Sequence, residues 1–157
     1  MPNVWQVIHS VLTGSTPRRK APPAGIPIVA LVVSDLDRHV LASVSGQELL
    51  EVHFVESCEE AFTVANQLTA PVILVDRDLP GTEWRIAVKS LAGSPHRACV
   101  ILMSGVTDDY LRQELICRGG YDVLPKPLRA DNVARLVKMA LSYWISAPKP
   151  AVQARRS

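Results

Sequence analysis

Apolar residues along this chain come in two rhythms: short unbroken runs, and longer stretches where they recur every third or fourth position. The unbroken runs are Ile28–Val33, Val72–Val75 and Cys99–Met103, with weaker ones at Val52–Val55 and Asp122–Leu124. Runs of this length, rich in β-branched residues and without polar alternation, predict strands buried on both faces, as in parallel sheets. Helical patterns lie between them. The first carries Val40, Leu41 and Val44 and is expected to stop near Gly46. The second starts at Ser57-Cys58-Glu59-Glu60, a capping-box pattern, and aligns Ala61, Val64, Ala65 and Leu68. A third, capped by Thr82, turns Trp84, Ala87, Val88 and Leu91 inward and ends at Gly93-Ser94-Pro95. A fourth opens at Thr107 with Asp108 and Asp109 in its first turn, where the helix dipole favours acids. It turns Leu111 and Leu115 inward and ends at Gly119-Gly120. The clearest is the last, with Val133, Leu136, Val137, Ala140, Leu141 and Trp144 on one stripe.

Strand followed by helix, five times over, predicts an α/β domain with a doubly wound five-stranded parallel sheet, helices on both faces and right-handed crossovers. The domain is expected over residues 27–146. Residues 1–26 read as a flexible arm. Val4, Trp5, Ile8, Val11 and Leu12 have the spacing of a short amphipathic helix, and Thr13–Pro27 has the proline content of a linker. Lys20 and the glycines there lack phosphate-loop spacing and follow no strand. Residues 147–157 read as a disordered basic tail.

Composition narrows the classes. In 157 residues the net charge is +2, so nothing requires nucleic acid or an anionic membrane as partner. Cys58, Cys99 and Cys117 are odd in number and scattered, which suits small buried hydrophobes in a reducing compartment better than a disulfide framework. The four histidines are equally dispersed, which gives a zinc site no support. No apolar run approaches the roughly 18 residues of a membrane span. The start of the chain lacks the order of a signal peptide. A cytoplasmic protein is expected.

Candidate chemistry then falls at one edge. Parallel strands deliver their last residues to the same side of the sheet, where open α/β folds form their sites. Asp35, Asp76, Ser104 and Lys126 follow four of the five strands. Asp76 is central, because it ends the most apolar run and precedes the breaker Leu79-Pro80-Gly81. A carboxylate leaving a buried strand needs a partner or a task. It can serve as a nucleophile and become an aspartyl phosphate. Such transfer needs a divalent cation, and Mg²⁺ suits one or two carboxylates, a carbonyl and phosphate oxygens. Asp35, Asp76 and the backbone carbonyl of Asp78 are the expected metal ligands. Lys126 supplies a cation for phosphoryl oxygens and Ser104 a hydroxyl donor.

From Ile28 to Trp144 the chain resembles a receiver domain of the bacterial two-component response regulators. Asp76 with Leu79-Pro80, Ser104-Gly105 after an apolar strand, and Lys126-Pro127 carry the resemblance. It implies a flavodoxin-like sheet of order 2-1-3-4-5, with Asp76 as phosphoacceptor and Mg²⁺ as cofactor. It also implies a histidine kinase or phosphotransfer protein as phosphoryl donor. A stand-alone receiver is expected, whose output surface is the face of the fourth helix, fifth strand and fifth helix, and which is not a conventional enzyme.

Three positions depart from the family pattern. Ser34 stands where the first of two adjacent acids is usual, which weakens the metal site, and Asp37 is a candidate to compensate. Val123 occupies the place of a switching aromatic, with Tyr121 out of register. Trp84 replaces a common glycine. Ser34 and Val123 support a rival reading, a receiver-like interaction module that does not depend on phosphate. Asp76-Arg77-Asp78 also resembles the start of haloacid-dehalogenase-like phosphatases. Only Asp131 follows Lys126 as a further acid, however, and no cap domain is expected.

Overall fold

The computed structural model describes residues 25–148. The expected N-terminal helix at Val4–Leu12, its linker up to residue 24, and the tail beyond residue 148 lie outside the described residues. Five strands, β1 (Ile26–Leu31), β2 (Leu50–Val55), β3 (Val72–Asp76), β4 (Cys99–Ser104) and β5 (Asp122–Pro125), form one sheet. They alternate with α1 (Asp35–Gln47), α2 (Cys58–Leu68), α3 (Trp84–Ala92), α4 (Asp109–Cys117) and α5 (Ala130–Ser146). The order is β2-β1-β3-β4-β5 and every pairing is parallel, as expected.

Strand alternation divides the core in two. Ile28, Ala30, Val72, Leu74, Ile101 and Met103 face one side, packing with Leu41 and Val44 of α1 and Val133, Leu136, Val137 and Ala140 of α5. Val29, Leu31, Ile73, Val75, Val100 and Leu102 face the other, against Ala61 and Ala65 of α2, the inner face of α3, and Leu111 and Leu115 of α4. Both sides of β3 and β4 are therefore apolar, which is why their sequences run without alternation. A side chain such as Leu74, fully buried, is worth about 1.5–3 kcal/mol relative to exposure. The helix α4 is only nine residues long and adds a tie outside the core: Arg85 Nε lies 2.6 Å from Glu114 Oε2 and Arg85 Nη2 2.9 Å from Oε1.

Several boundaries differ from those the sequence suggests. β1 begins at Ile26, ahead of Pro27, because pairing with β3 starts only at Ile28 and the missing N–H of Pro27 faces no ladder there. It also ends at Leu31, short of the expected Val33. β2 begins at Leu50 rather than Val52. The cap of α3 is Glu83 in place of Thr82, its carboxylate accepting from Arg85 N at 3.1 Å. α1 does end near Gly46, at Gln47, and the chain leaves at Glu48 in an extended conformation that needs no glycine. The capping residue Ser57 does accept from Glu60 N, at 3.0 Å. The end of α4 is built as the Gly119-Gly120 pair suggests: Gly119 has φ +94°, and Gly120 N donates to Leu115 O at 2.9 Å.

These two helix-end glycines should respond to alanine with opposite signs. Gly119→Ala forces a side chain into left-handed backbone and should lower unfolding stability by about 1 kcal/mol. Gly46→Ala meets nothing within 4 Å inside a helix and should raise stability by about 0.4–1 kcal/mol. Urea denaturation of the two variants measures both.

Candidate functional site

Asp76 is the last residue of β3 and has 0% exposure. Its Cα pairs with Met103, so Ser104, the last residue of β4, follows directly on the neighbouring strand. Ser104 in turn pairs with Pro125, and Lys126 N donates to Ser104 O at 2.9 Å. The register of three parallel strands thus carries Asp76, Ser104 and Lys126 to one edge. The Lys126–Pro127 peptide is cis.

The carboxylate of Asp76 is held at both oxygens. Asp78 N donates to Oδ1 at 2.8 Å, an Asx-type turn just past the strand, and Lys126 Nζ donates to Oδ2 at 2.9 Å. Burial without such partners would be strongly unfavourable for a charged group. The side chain of Asp78 itself is exposed. Ser104 Oγ accepts from Val106 N at 2.9 Å, which keeps the hydroxyl at the start of the loop into α4.

The other acid at Lys126 is not the one the strand-end pattern indicated. Asp35 is exposed on the first turn of α1. Asp37 is 4% exposed, and its Oδ2 lies 3.1 Å from Lys126 Nζ. That contact is a charge pairing without a directed hydrogen bond, for Asp37 Oδ2 is buried with no hydrogen-bond partner. The reason is helical phase. β1 stops at Leu31, so Asp35 belongs to the helix and not to a strand end, and two residues of helix rotate a side chain by about 200°. Asp37, Leu41 and Val44 share the inner stripe. That i, i+4, i+7 spacing was the signal that separates Asp37 from Asp35.

Lys126 therefore bridges two buried carboxylates from β3 and α1. Burial alone would lower its pKa, but the hydrogen bond to Asp76 and the interaction with Asp37 outweigh this and hold the ammonium above the usual lysine value of 10.5. Two carboxylates against one ammonium leave the cluster short of positive charge. Arg77, next along the chain, buries Nε without a hydrogen-bond partner and donates its backbone N–H to Met103 O at 3.0 Å. Tyr121 and Val123 are elsewhere. Tyr121 pairs with Tyr143, ring centroids 5.5 Å apart, and Val123 is buried in the core. A cavity of about 630 Å³ lined by Arg97, Tyr121, Tyr143 and Trp144 opens near the start of β4 and includes none of these acids.

A divalent cation fits the donor set. Among the described residues no three His, Cys, Asp or Glu side chains gather to hold a metal. Mg²⁺, however, takes one or two carboxylates and completes its shell with water and carbonyl oxygens. Two buried carboxylates, one of them with an oxygen that has the Lys126 ammonium beside it but no directed hydrogen bond, match that demand.

No protein-family model matches the chain. A two-component response regulator of rice, Oryza sativa subsp. indica, is 29% identical over 126 residues, covering 73% of this chain and 48% of that protein. Its counterpart in subsp. japonica matches to the same extent. The chain thus spans about half the length of the curated relatives it matches. Among solved structures, a chemotaxis response regulator of Vibrio cholerae superposes with a TM-score of 0.67 at 18% identity, over 74% of this chain and 99% of that one. The signal receiver domain of an HD domain-containing protein from Pseudomonas fluorescens reaches 0.68 at 17% identity, over 83% and 96%. A Saccharomyces cerevisiae receiver domain, co-crystallised with a histidine phosphotransfer signalling protein, reaches 0.65 at 14%, over 76% and 91%. The chain has the receiver fold, and its sequence resembles that of a response regulator. Among the described residues no helix is long and apolar enough to cross a membrane.

The Lys126 bridge makes a signed pH prediction. Its folded pKa is raised, so its contribution to stability is complete below the ordinary lysine value of 10.5 and is lost as pH rises through the folded value. Lys126→Met should lower unfolding stability by about 3 kcal/mol at pH 7, at the low end for a broken buried pair because the lysine side chain is 20% exposed. The gap between wild type and variant should narrow above pH 10.5, as read by urea titrations at pH 7 and pH 11.

Proposed function

We propose that this receiver-fold chain accepts a phosphoryl group on Asp76 in a two-component phosphorelay and passes the signal on through a changed protein-binding surface. The observation that carries the reading is the Lys126–Asp76 pair at 2.9 Å, assembled at one sheet edge with Ser104. A carboxylate oxygen of Asp76 forms the new P–O bond, and the bond from phosphorus to the donor's leaving group breaks. With acetyl phosphate the leaving group is acetate; with a phosphohistidine donor it is the imidazole nitrogen. Mg²⁺ at this site would offset negative charge between the carboxylate and the arriving phosphoryl group. Asp76 and a second acid, with the Asp78 carbonyl, would hold it.

Asp76 is fully covered before reaction, so Lys126 must release it. Its long flexible stem permits that, and its ammonium is then free for the phosphoryl oxygens. The Ser104 hydroxyl can donate to another of them. On this reading the protein is a phosphoacceptor and not an enzyme turning over a free substrate. The partnership of the yeast receiver with a histidine phosphotransfer protein supports a donor of the same kind here, a kinase or phosphotransfer protein with phosphohistidine.

Output through α4, β5 and α5 follows from connection and exposure. Ser104 leads directly into the loop before α4, and Lys126 is the first residue after β5, in the segment that leads to α5. Tyr110 and Ile116 on α4 and Tyr143 on α5 are exposed apolar groups available to a partner. Phosphorylation adds nearly two negative charges and new acceptor oxygens, drawing Ser104 and Lys126 toward them.

Incubation with acetyl phosphate and Mg²⁺ should add one phosphoryl group to the intact mass, and the gain should vanish in Asp76→Asn and with EDTA. No gain, under conditions that label a control receiver, would replace this reading with the phosphate-independent interaction module that Ser34 and Val123 favour. Amide chemical shifts test the output face. On phosphorylation, α4, β5 and the start of α5 should move more than α2, and changes spread evenly over the sheet and helices would sink that assignment.

A further inference from the structure

We infer that the second metal-holding acid of this chain is Asp37, on the first turn of α1, and not Asp35, with Ser34 as the residue that positions it. The inference rests on the phosphoacceptor reading for its purpose but on separate observations for its content.

Four of these converge. Asp37 is 4% exposed beside the charged cluster, whereas Asp35 is exposed. Asp37 Oδ2 is buried with the Lys126 ammonium at 3.1 Å but no directed hydrogen bond, although a carboxylate oxygen removed from water normally has one. An acid held in this way suits a ligand role better than a capping role, and the cap of α1 is already supplied. Ser34 Oγ accepts from Asp37 N at 3.0 Å, fixing Ser34 as the residue before the helix and Asp37 as its third position. Finally, Asp37 and Asp76 together face one ammonium, at 3.1 and 2.9 Å, so one negative charge is left over. That leftover charge attracts a further cation, and the oxygen donors suit Mg²⁺.

Ser34 thereby acquires a task. It stands where a metal-side acid would be expected, yet it sets the helical phase that brings a different acid to Lys126. A cation on Asp37 and Asp76 also competes with Lys126 for the same oxygens. Metal loading and release of the lysine toward phosphoryl oxygens become one event, and Asp37 couples them.

Isothermal titration with MgCl₂ in the absence of any phosphoryl donor tests this on the wild type, Asp37→Asn and Asp35→Asn, each checked for native circular dichroism. Asp37→Asn should weaken Mg²⁺ binding by about tenfold or more, and Asp35→Asn should leave it within about twofold. Asp37→Asn keeps the Lys126–Asp76 pair, so the fold is expected to survive, and Asp37→Glu, which keeps the charge, should recover part of the affinity. Loss of affinity in Asp35→Asn with none in Asp37→Asn overturns the inference, as does a wild type that takes up no Mg²⁺. Failure of the phosphoacceptor reading looks different: Mg²⁺ binding would still depend on Asp37 while acetyl phosphate labelled nothing. Conversely, a wild type that is labelled while Asp37→Asn binds Mg²⁺ normally would leave that reading standing and remove this one.

Discussion

Two carboxylates taken out of water and one lysine ammonium between them set the terms for the rest of this structure. Asp76 comes from β3, Asp37 from α1 and Lys126 from the end of β5, so the bridge ties three separated stretches of chain at the sheet edge. Neither carboxylate could stay charged there unpaired. The tie is also incomplete, since two negative charges share one positive. A site with that imbalance is stable enough to form and remains receptive to a further cation. Under the proposed phosphoacceptor function, the same ammonium would be a structural counter-ion before reaction and a partner for phosphoryl oxygens after it.

The sheet makes such a cluster possible by keeping its central strands β3 and β4 apolar up to their last residues. β3 and β4 are buried along their whole lengths, one set of side chains packing under α1 and α5 and the other under α2, α3 and α4. On these two strands a polar side chain appears only at the end, as Asp76 and Ser104. Because every pairing is parallel, those stops lie side by side, and the register sets which residues meet. The sheet behind them is close-packed and yields little. Under the proposed function, movement would fall to the loops that follow Ser104 and Lys126. α4, which the first of these loops leads into, has two buried anchors, Leu111 and Leu115, and the Arg85–Glu114 pair holding it. A small helix held this way is a reasonable element to respond when charge at the edge changes.

Much of the architecture was legible in one dimension. Buried parallel strands leave an unmistakable apolar run, and the stripes of α3 and α5 follow helical period, so element order and class came directly from pattern. Asp76 taken alone reads first as a cap of the following turn, and it is the joint placement of polar residues at successive strand ends that singles it out. Ser104 and Lys126 could be grouped with it because each follows an apolar run, although each alone is an ordinary loop residue. Their actual grouping depends on strand register across three chain segments, which local sequence does not encode.

The choice between Asp35 and Asp37 marks the limit most clearly. From the sequence, Ile28–Val33 looked like a strand that hands its next acid to the sheet edge, and that made Asp35 the natural candidate. The strand stops two residues earlier, Ser34 caps a helix, and the helical rotation turns Asp35 to solvent and Asp37 inward. The sequence by itself determined the alternation of strands and helices, the two-sided burial of the sheet and the identity of the central acid. Those properties depend on side-chain type and spacing over a few residues. Only the tertiary structure decided which acid faces Lys126, because that depends on where one strand ends and the next helix begins, and a shift of two residues there reverses the side to which a carboxylate points.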